Sequence, residues 1–319
     1  MRLLFELSGE HPTLPVAELA CVGRVIEQVP QAAVVECDEP CRTGRLALTH
    51  RVIELYGSCH ADMDSFRKLL MDLSVQADVP FAGRVKKVEG SSMDAPVPDL
   101  ERLIGRLVSG RVSLTRPETE YRALCSADRC FFGRVLVSPD RRSFDLRKPG
   151  DRPFFHPGVM MPRMARALVN ISCVNEGEVL IDPFSGTGGI LIEAALVGAD
   201  PVGIDMDPVM LRGSRANAPG VSLVRADATR MPVKDRSADA VVTDLPYGQS
   251  VMIRARSMDQ LYSGSIEEIA RILKPGRKAV VVTHRDISAT AGGILHIAGL
   301  HEQRVHRSLT RRILVLEHR

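Results

Sequence analysis

In the C-terminal half, short uninterrupted apolar runs alternate with stretches of helical periodicity. Val179-Leu180-Ile181, Val202-Gly203-Ile204, Leu223-Val224, Val241-Val242-Thr243 and Ala279-Val280-Val281-Val282-Thr283 lack polar alternation, as expected of strands covered on both faces. Between them, Ile190 to Ala195 and Asp207 to Ala218 carry helix periodicity, the latter stopping at Pro219-Gly220. Met258 to Leu273 is a longer helical stretch closed by Lys274-Pro275-Gly276, and Gly292 to Leu300 reads as a helix despite its paired glycines. This rhythm predicts a doubly wound, Rossmann-like α/β sheet. Gln303 to His306 and Ile313 to Glu317, joined around Ser308-Leu309-Thr310, predict a terminal antiparallel hairpin on that sheet.

The N-terminal half is patterned differently. Strands are expected at Arg2–Leu7, Ala33–Glu36, Phe81–Val88, Val112–Leu114 and Cys130–Val137, and helices at Leu14–Ile26, Arg45–Leu55, Asp64–Leu73 and Asp99–Val108. Short strands mixed with helices suggest small α+β modules. Three segments result: residues 1–139, a linker 140–164, and residues 165–319. Proline, glycine, basic residues and phenylalanines make the linker stiff, with a positive face formed by Arg141, Arg142, Arg147 and Lys148. Those cations are either a solvated connector or a phosphate track.

The chemistry lies at the predicted strand ends. The run ending in Asp182 enters Pro183-Phe184-Ser185-Gly186-Thr187-Gly188-Gly189, a strand–loop–helix transition. An acid at the loop mouth repels a pyrophosphate and attracts an ammonium, and neither G-x-G-x-x-G nor Gly-Lys-Ser/Thr is present. The next strand ends in Asp205-Met206, placed to hold ribose hydroxyls, and the third reaches Asp227-Ala228, placed to meet an adenine amine. Ammonium, ribose and adenine together describe S-adenosylmethionine. Asp244-Leu245-Pro246-Tyr247-Gly248 then offers one carboxylate, one backbone carbonyl and one aromatic face, which suits a flat base with an exocyclic amine. Phe154 and Phe155 of the linker are expected to close over the cofactor pocket, with Phe155 and His156 counted among the cofactor-binding residues.

Composition narrows the class. With 319 residues, 45% of them hydrophobic, the chain can bury two cores, and a net charge of +3 permits nucleic acid as a partner without demanding it. No apolar run has membrane-spanning length and no secretory leader pattern is present, so a cytoplasmic location is expected. The seven cysteines form no C-x-x-C. Cys37 and Cys41 with His50, Cys59 and His60 are conceivable metal ligands, but reduced thiols are the preferred reading and no metal is expected.

Four segments carry a family resemblance: Arg152-Pro153-Phe154-Phe155-His156-Pro157-Gly158 with Met161-Pro162-Arg163, the Asp182 to Glu193 loop, Asp244 to Gly248, and His306-Arg307-Ser308-Leu309-Thr310-Arg311. Through them the chain resembles archaeal-type tRNA guanine N2-methyltransferases that act on guanosine 10 and carry a THUMP domain. The resemblance spans essentially the whole chain. It implies N-terminal ferredoxin-like and THUMP modules gripping the acceptor end of tRNA, and mono- then dimethylation of the guanine amine. Leu245 departs from the family's usual Asp-Pro-Pro-Tyr motif.

In the mechanism expected, Asp244 and the Leu245 carbonyl accept the amine hydrogens while the base rests on Tyr247 across Pro246. Lys86, Lys87, Arg141, Arg142, Arg147 and Lys148 are the candidate RNA contacts. Two alternatives stay open: an N-methyltransferase for another RNA, a DNA adenine or a protein glutamine, and a non-catalytic RNA-binding relative. A monomer is expected.

Overall fold

The computed structural model describes residues 1–247, 257–306 and 309–318. The chain forms two compact units, Met1–Pro139 and Asp140–Arg319. No helix among the described residues is long and apolar enough to cross a membrane.

The first unit holds β1 (Arg2–Leu7), α1 (Leu14–Glu18), β2 (Gly23–Val29), β3 (Ala32–Cys37), β4 (Thr49–His60), α2 (Met63–Leu73), β5 (Phe81–Lys87), α3 (Val97–Leu107), β6 (Thr119–Ser126) and β7 (Arg129–Val137). Its strands join one seven-stranded sheet, in the order β2-β3-β1-β4-β7-β6-β5. Only β5 and β6 pair in parallel among these neighbours. The amphipathic helices α2 and α3 bury Phe66, Leu70, Leu100 and Ile104 against Phe81, Tyr121 and Phe132.

Three N-terminal expectations are corrected. The helix expected over Leu14–Ile26 ends at Glu18, whose buried carboxylate accepts the backbone N–H groups of Ala47 and Leu48 at 2.7 and 2.8 Å. Its second half is β2, where the backbone of Gly23 lies so close to β3 that an added Cβ would stand 2.2 Å from the Glu36 carbonyl. The helix expected over Arg45–Leu55 is mostly β4, held between β1 and β7. Val112–Leu114 forms only an isolated bridge from Val112 to Phe81, and β6 went unforeseen.

The second unit contains α4 (Pro162–Ile171), β8 (Val179–Asp182), α5 (Gly189–Leu196), β9 (Asp200–Asp205), α6 (Pro208–Asn217), β10 (Ser222–Arg225), β11 (Ala238–Asp244), α7 (Met258–Ile272), β12 (Leu273–Thr283), α8 (Ser288–Ile294), β13 (His296–His306) and β14 (Leu309–Glu317). The strand order is β10-β9-β8-β11-β12-β14-β13. The first five strands are parallel, and β14 runs antiparallel to both β12 and β13. Order reverses between β8 and β11, so a crevice opens at the carboxyl ends of those two strands. Asp182 and Asp244 are their last residues.

Two details differ from the sequence pattern. The helix expected over Gly292–Leu300 is α8, Ser288–Ile294: it starts and ends earlier than the pattern suggests, and His296 onward pairs with β14. Residues 140–164 are not a free linker. Phe144 is buried, and Arg147 reaches the buried Glu193 of α5 with Nε–Oε1 and Nη2–Oε2 distances of 2.6 and 3.0 Å. The segment is thereby fastened to the second unit.

Candidate active site

A cavity of about 180 Å³ sits at the strand-order reversal, lined by His156 to Met160, Asp182, Phe184 to Thr187, Gly189, Ile190, Met210 and Asp244. Its floor is the glycine loop between β8 and α5. Gly186 and Gly188 take φ values of +48° and +82°, which L side chains rarely adopt, and the loop turns at these two positions. At Gly186 an added Cβ would meet only the Phe184 carbonyl, at 4.0 Å, so the loop presents open backbone to the cavity. At Gly188 the same atom would stand 2.5 Å from Ser214 Oγ, so this glycine instead lets α6 pack close.

Asp182 is buried at 1% exposure. Its Oδ1 accepts from Phe184 N at 3.1 Å and from Thr243 Oγ1 at 2.8 Å. Burial pushes its carboxyl up to about 7, with Asp205 and Asp244 adding repulsion. A cation entering the cavity would restore its charge. Ser185 is also buried, and its Oγ has no partner among the described residues, an arrangement suited to a polar ligand group. These residues therefore fit the amino-acid end of S-adenosylmethionine.

The other strand-end acids stand outside this cavity and have structural duties. Asp205 accepts from Gly186 N and Asp207 N, each at 2.9 Å, and so ties the glycine loop to β9. Burial raises its carboxyl as well. Asp227 Oδ1 accepts from Thr229 N and Thr229 Oγ1 at 2.9 and 2.8 Å. Met206 is half-buried with its carbonyl taken by Arg225 Nε at 3.2 Å, and Ala228 is buried.

Asp244 is drawn into a polar cluster. Its Oδ1 accepts from the Tyr247 hydroxyl at 2.9 Å, and its Oδ2 lies 3.8 Å from Arg311 Nη2. Burial pushes its carboxyl up to about 6, and Arg311 opposes that rise. The Tyr247 ring packs edge-on against His284, 4.8 Å between centroids. The Pro246 carbonyl accepts from the buried Tyr262 hydroxyl at 2.6 Å, which pins the turn to α7. Gly248, the last residue of the motif, lies outside the described residues.

Leu245 does more than offer the backbone carbonyl expected of it. Its side chain is 1% exposed, within the core formed with Ile181, Val241 and Ile266. Its N–H donates to the Val282 carbonyl at 2.8 Å, so the position uses both a donor and a bulky apolar side chain.

The strap before α4 splits the linker expectations. His156 lines the cavity, whereas Phe155 is 55% exposed and does not. Phe154 packs on Gly213, where an added Cβ would fall 2.1 Å from its ring. Asn217 brackets the Phe154 backbone, accepting from its N–H and donating to its carbonyl, both at 2.9 Å, and also donates to the Thr187 carbonyl at 3.0 Å.

Among the candidate RNA contacts, Arg147 is corrected: its guanidinium is committed to Glu193 and lies over Phe144. Lys148 pairs with Asp145 on the surface, and Lys87 Nζ donates to the Ala95 carbonyl. Lys86 and Arg142 are exposed, and Arg141 is half-buried. The described residues assemble no group of three or more potential metal ligands. Thr243, Tyr262, His284, Arg311 and Glu193 were missed as contributors. Glu193 and Arg311 fell within quoted motifs, but only spatial proximity reveals their roles.

A mostly parallel sheet with a glycine loop at its reversal, and a buried acid beside an Asp-Leu-Pro-Tyr turn, defines a methyltransferase of the doubly wound class. Residues 149–313 match the model of the family RMKL-like, methyltransferase domain, and the chain belongs to that family. It is 35% identical to the tRNA (guanine(10)-N2)-dimethyltransferase of Methanothermobacter thermautotrophicus, over 99% of both chains. The enzyme of that name from Pyrococcus abyssi is 32% identical over 86% of this chain and 85% of its own. TrmN from Thermus thermophilus shares the fold over the full length of both chains, with a TM-score of 0.53 and 18% identity.

Proposed function

We propose that this methyltransferase transfers methyl groups from S-adenosylmethionine to the exocyclic N2 amine of guanosine 10 in tRNA, first one and then a second. The observation that carries the reading is the shared cavity of Asp182 and Asp244, at the ends of adjacent parallel strands. It juxtaposes an ammonium-binding acid with an amine-binding acid. The near-full-length likeness to relatives named for this dimethylation supports the substrate.

When bound, S-adenosylmethionine supplies an electrophilic methyl group on a sulfonium. Asp182 and the Ser185–Gly189 loop are proposed to hold its amino-acid end, with Asp205, Met206, Asp227 and Ala228 along the adenosine. The target base leaves the tRNA stack and lies on Tyr247, whose hydroxyl bond to Asp244 fixes the ring. Because Tyr262 already engages the Pro246 carbonyl, we assign the second amine contact to the Leu245 carbonyl. Two acceptors favour a pyramidal amine, turning a delocalised lone pair toward the methyl. The proton shed on methylation passes to Asp244, whose carboxyl near 6 is ionised at neutral pH. Lys86, Arg141, Arg142 and Lys148 are proposed to meet RNA phosphates, and a tRNA substrate suits a cytoplasmic monomer.

Incubation of the full chain with S-adenosylmethionine and unmodified tRNA, followed by nucleoside mass spectrometry, should show N2-methylguanosine preceding N2,N2-dimethylguanosine. Methylation confined to adenosine or to a protein would overturn the reading.

A further inference from the structure

We propose that Arg311 is a positioning residue through which the terminal hairpin sets both the orientation of Tyr247 and the charge state of Asp244. The inference rests on the function proposed above. Arg311 stands on β14, remote in sequence from the Asp244–Tyr247 turn, yet its Nε donates to the Tyr247 hydroxyl at 3.0 Å. Its Nη2 lies 3.8 Å from Asp244 Oδ2, and the side chain is only 12% exposed. The Tyr247 hydroxyl in turn donates to Asp244 Oδ1 at 2.9 Å. These three contacts close a directed ring: guanidinium to phenol, phenol to carboxylate, carboxylate facing guanidinium.

Strand geometry makes the assignment specific to one arginine. Neighbouring residues on a strand point to opposite faces. Arg312 accordingly pairs with Glu302 at 3.0 Å and donates to the His284 carbonyl at 3.2 Å, leaving Arg311 to serve the site. A guanidinium can address a phenol and a carboxylate at once from a planar fork, whereas an ammonium is a single point charge. The burial of Tyr247 and the nearby Asp244 charge both disfavour a phenolate, so the hydroxyl keeps its proton and remains a donor.

Charge is the second half of the proposal. Asp244 is faced by Arg311 from β14, by Tyr247 in its own turn and by Asp182 from β8, while His284 beyond β12 abuts Tyr247. His284 is pushed toward its neutral form by burial and by Arg285. Among the described residues, Arg311 is therefore the cation that opposes the effect of burial on Asp244. Its removal should raise the Asp244 carboxyl and free the Tyr247 ring to swing.

The test compares full-length wild type with Arg311→Lys and Arg311→Met, reading single-turnover methylation of tRNA against pH and S-adenosylmethionine binding by calorimetry. In Arg311→Met the acidic limb of the rate profile should move up by about one pH unit or more, the shift expected on losing a nearby opposite charge. Its plateau should fall roughly ten- to hundredfold through misplacement of the base. Arg311→Lys should keep the wild-type limb, because the charge remains, yet show a lowered plateau. Cofactor affinity should stay at the wild-type value in both. An Arg311→Met profile with an unmoved acidic limb would overturn the proposal, whether or not its plateau fell. Failure of the function itself would look different, since the wild type would then yield no N2-methylguanosine.

Discussion

Leu245 shows how far one residue's role can be read from its neighbours. Its place before Pro246 correctly suggests an extended backbone, yet the pattern around it does not reveal what its side chain touches. The chain buries that side chain and uses its N–H, so proline here is no neutral stiffening. Leu245→Pro should cost about 2–3 kcal/mol from the lost hydrogen bond and lost packing, measurable as a lowered urea midpoint. A midpoint equal to wild type would show that the strand end repacks. Asp182 was legible as a strand-end acid, but its burial and its Thr243 partner were not, because both come from the adjacent strand. With its folded carboxyl near 7 and the ordinary value at 3.8, the native state holds the extra proton between these limits. Its contribution to stability is therefore full below about pH 4 and declines as pH rises through about 7. Asp182→Asn should flatten that decline and raise the melting temperature at pH 8, while weakening S-adenosylmethionine binding. A melting profile with the wild-type pH slope would contradict the assignment. Asp244→Asn, which keeps the shape and removes the base, should lower single-turnover methylation by about two or more orders of magnitude.

Periodicity served the parallel strands well because both their faces are covered and their apolar runs are unbroken. It failed where two faces are covered in an antiparallel setting. Across Arg45–Leu55, the apolar residues Leu46, Leu48, Val52, Ile53 and Leu55 can be fitted to a helical stripe, yet long-range pairing with β1 and β7 makes most of this stretch β4. The strap before α4 is the other case. Prolines and charges read as a connector, and only the partner acid on α5 shows that it is fastened. Glu193 lies fully buried between Arg147, at 2.6 Å, and Arg166, at 2.9 Å. Glu193→Gln should leave both guanidiniums short of compensation and destabilise the second unit by about 3–5 kcal/mol. Differential scanning calorimetry of the full chain would register this as a lower transition for that unit, and an unshifted transition would count against a fastened strap.

At the level of the whole chain, the five parallel strands of the second sheet and most of β14 were legible from their apolar runs, whereas the first part of β13 read as helix. The single sheet of the first unit was not legible, because its strand order depends on pairings between distant segments. The second unit begins at Asp140, so a fragment from that residue should fold and bind S-adenosylmethionine. A fragment from Ala165 omits Arg147 and should be less stable. We expect the Asp140 fragment to lose tRNA methylation even while it binds cofactor, as the N-terminal unit is proposed to supply RNA affinity. Full activity of that fragment would remove the need for the first unit. The chemistry itself turns on one amine. Replacing guanosine 10 of an otherwise unmodified tRNA by inosine deletes that amine and leaves the rest of the base intact. Methyl transfer from labelled S-adenosylmethionine should then vanish while the inosine-containing tRNA still competes with the guanosine form for binding. Transfer to the inosine tRNA at the normal rate would contradict the assignment of the N2 amine as methyl acceptor.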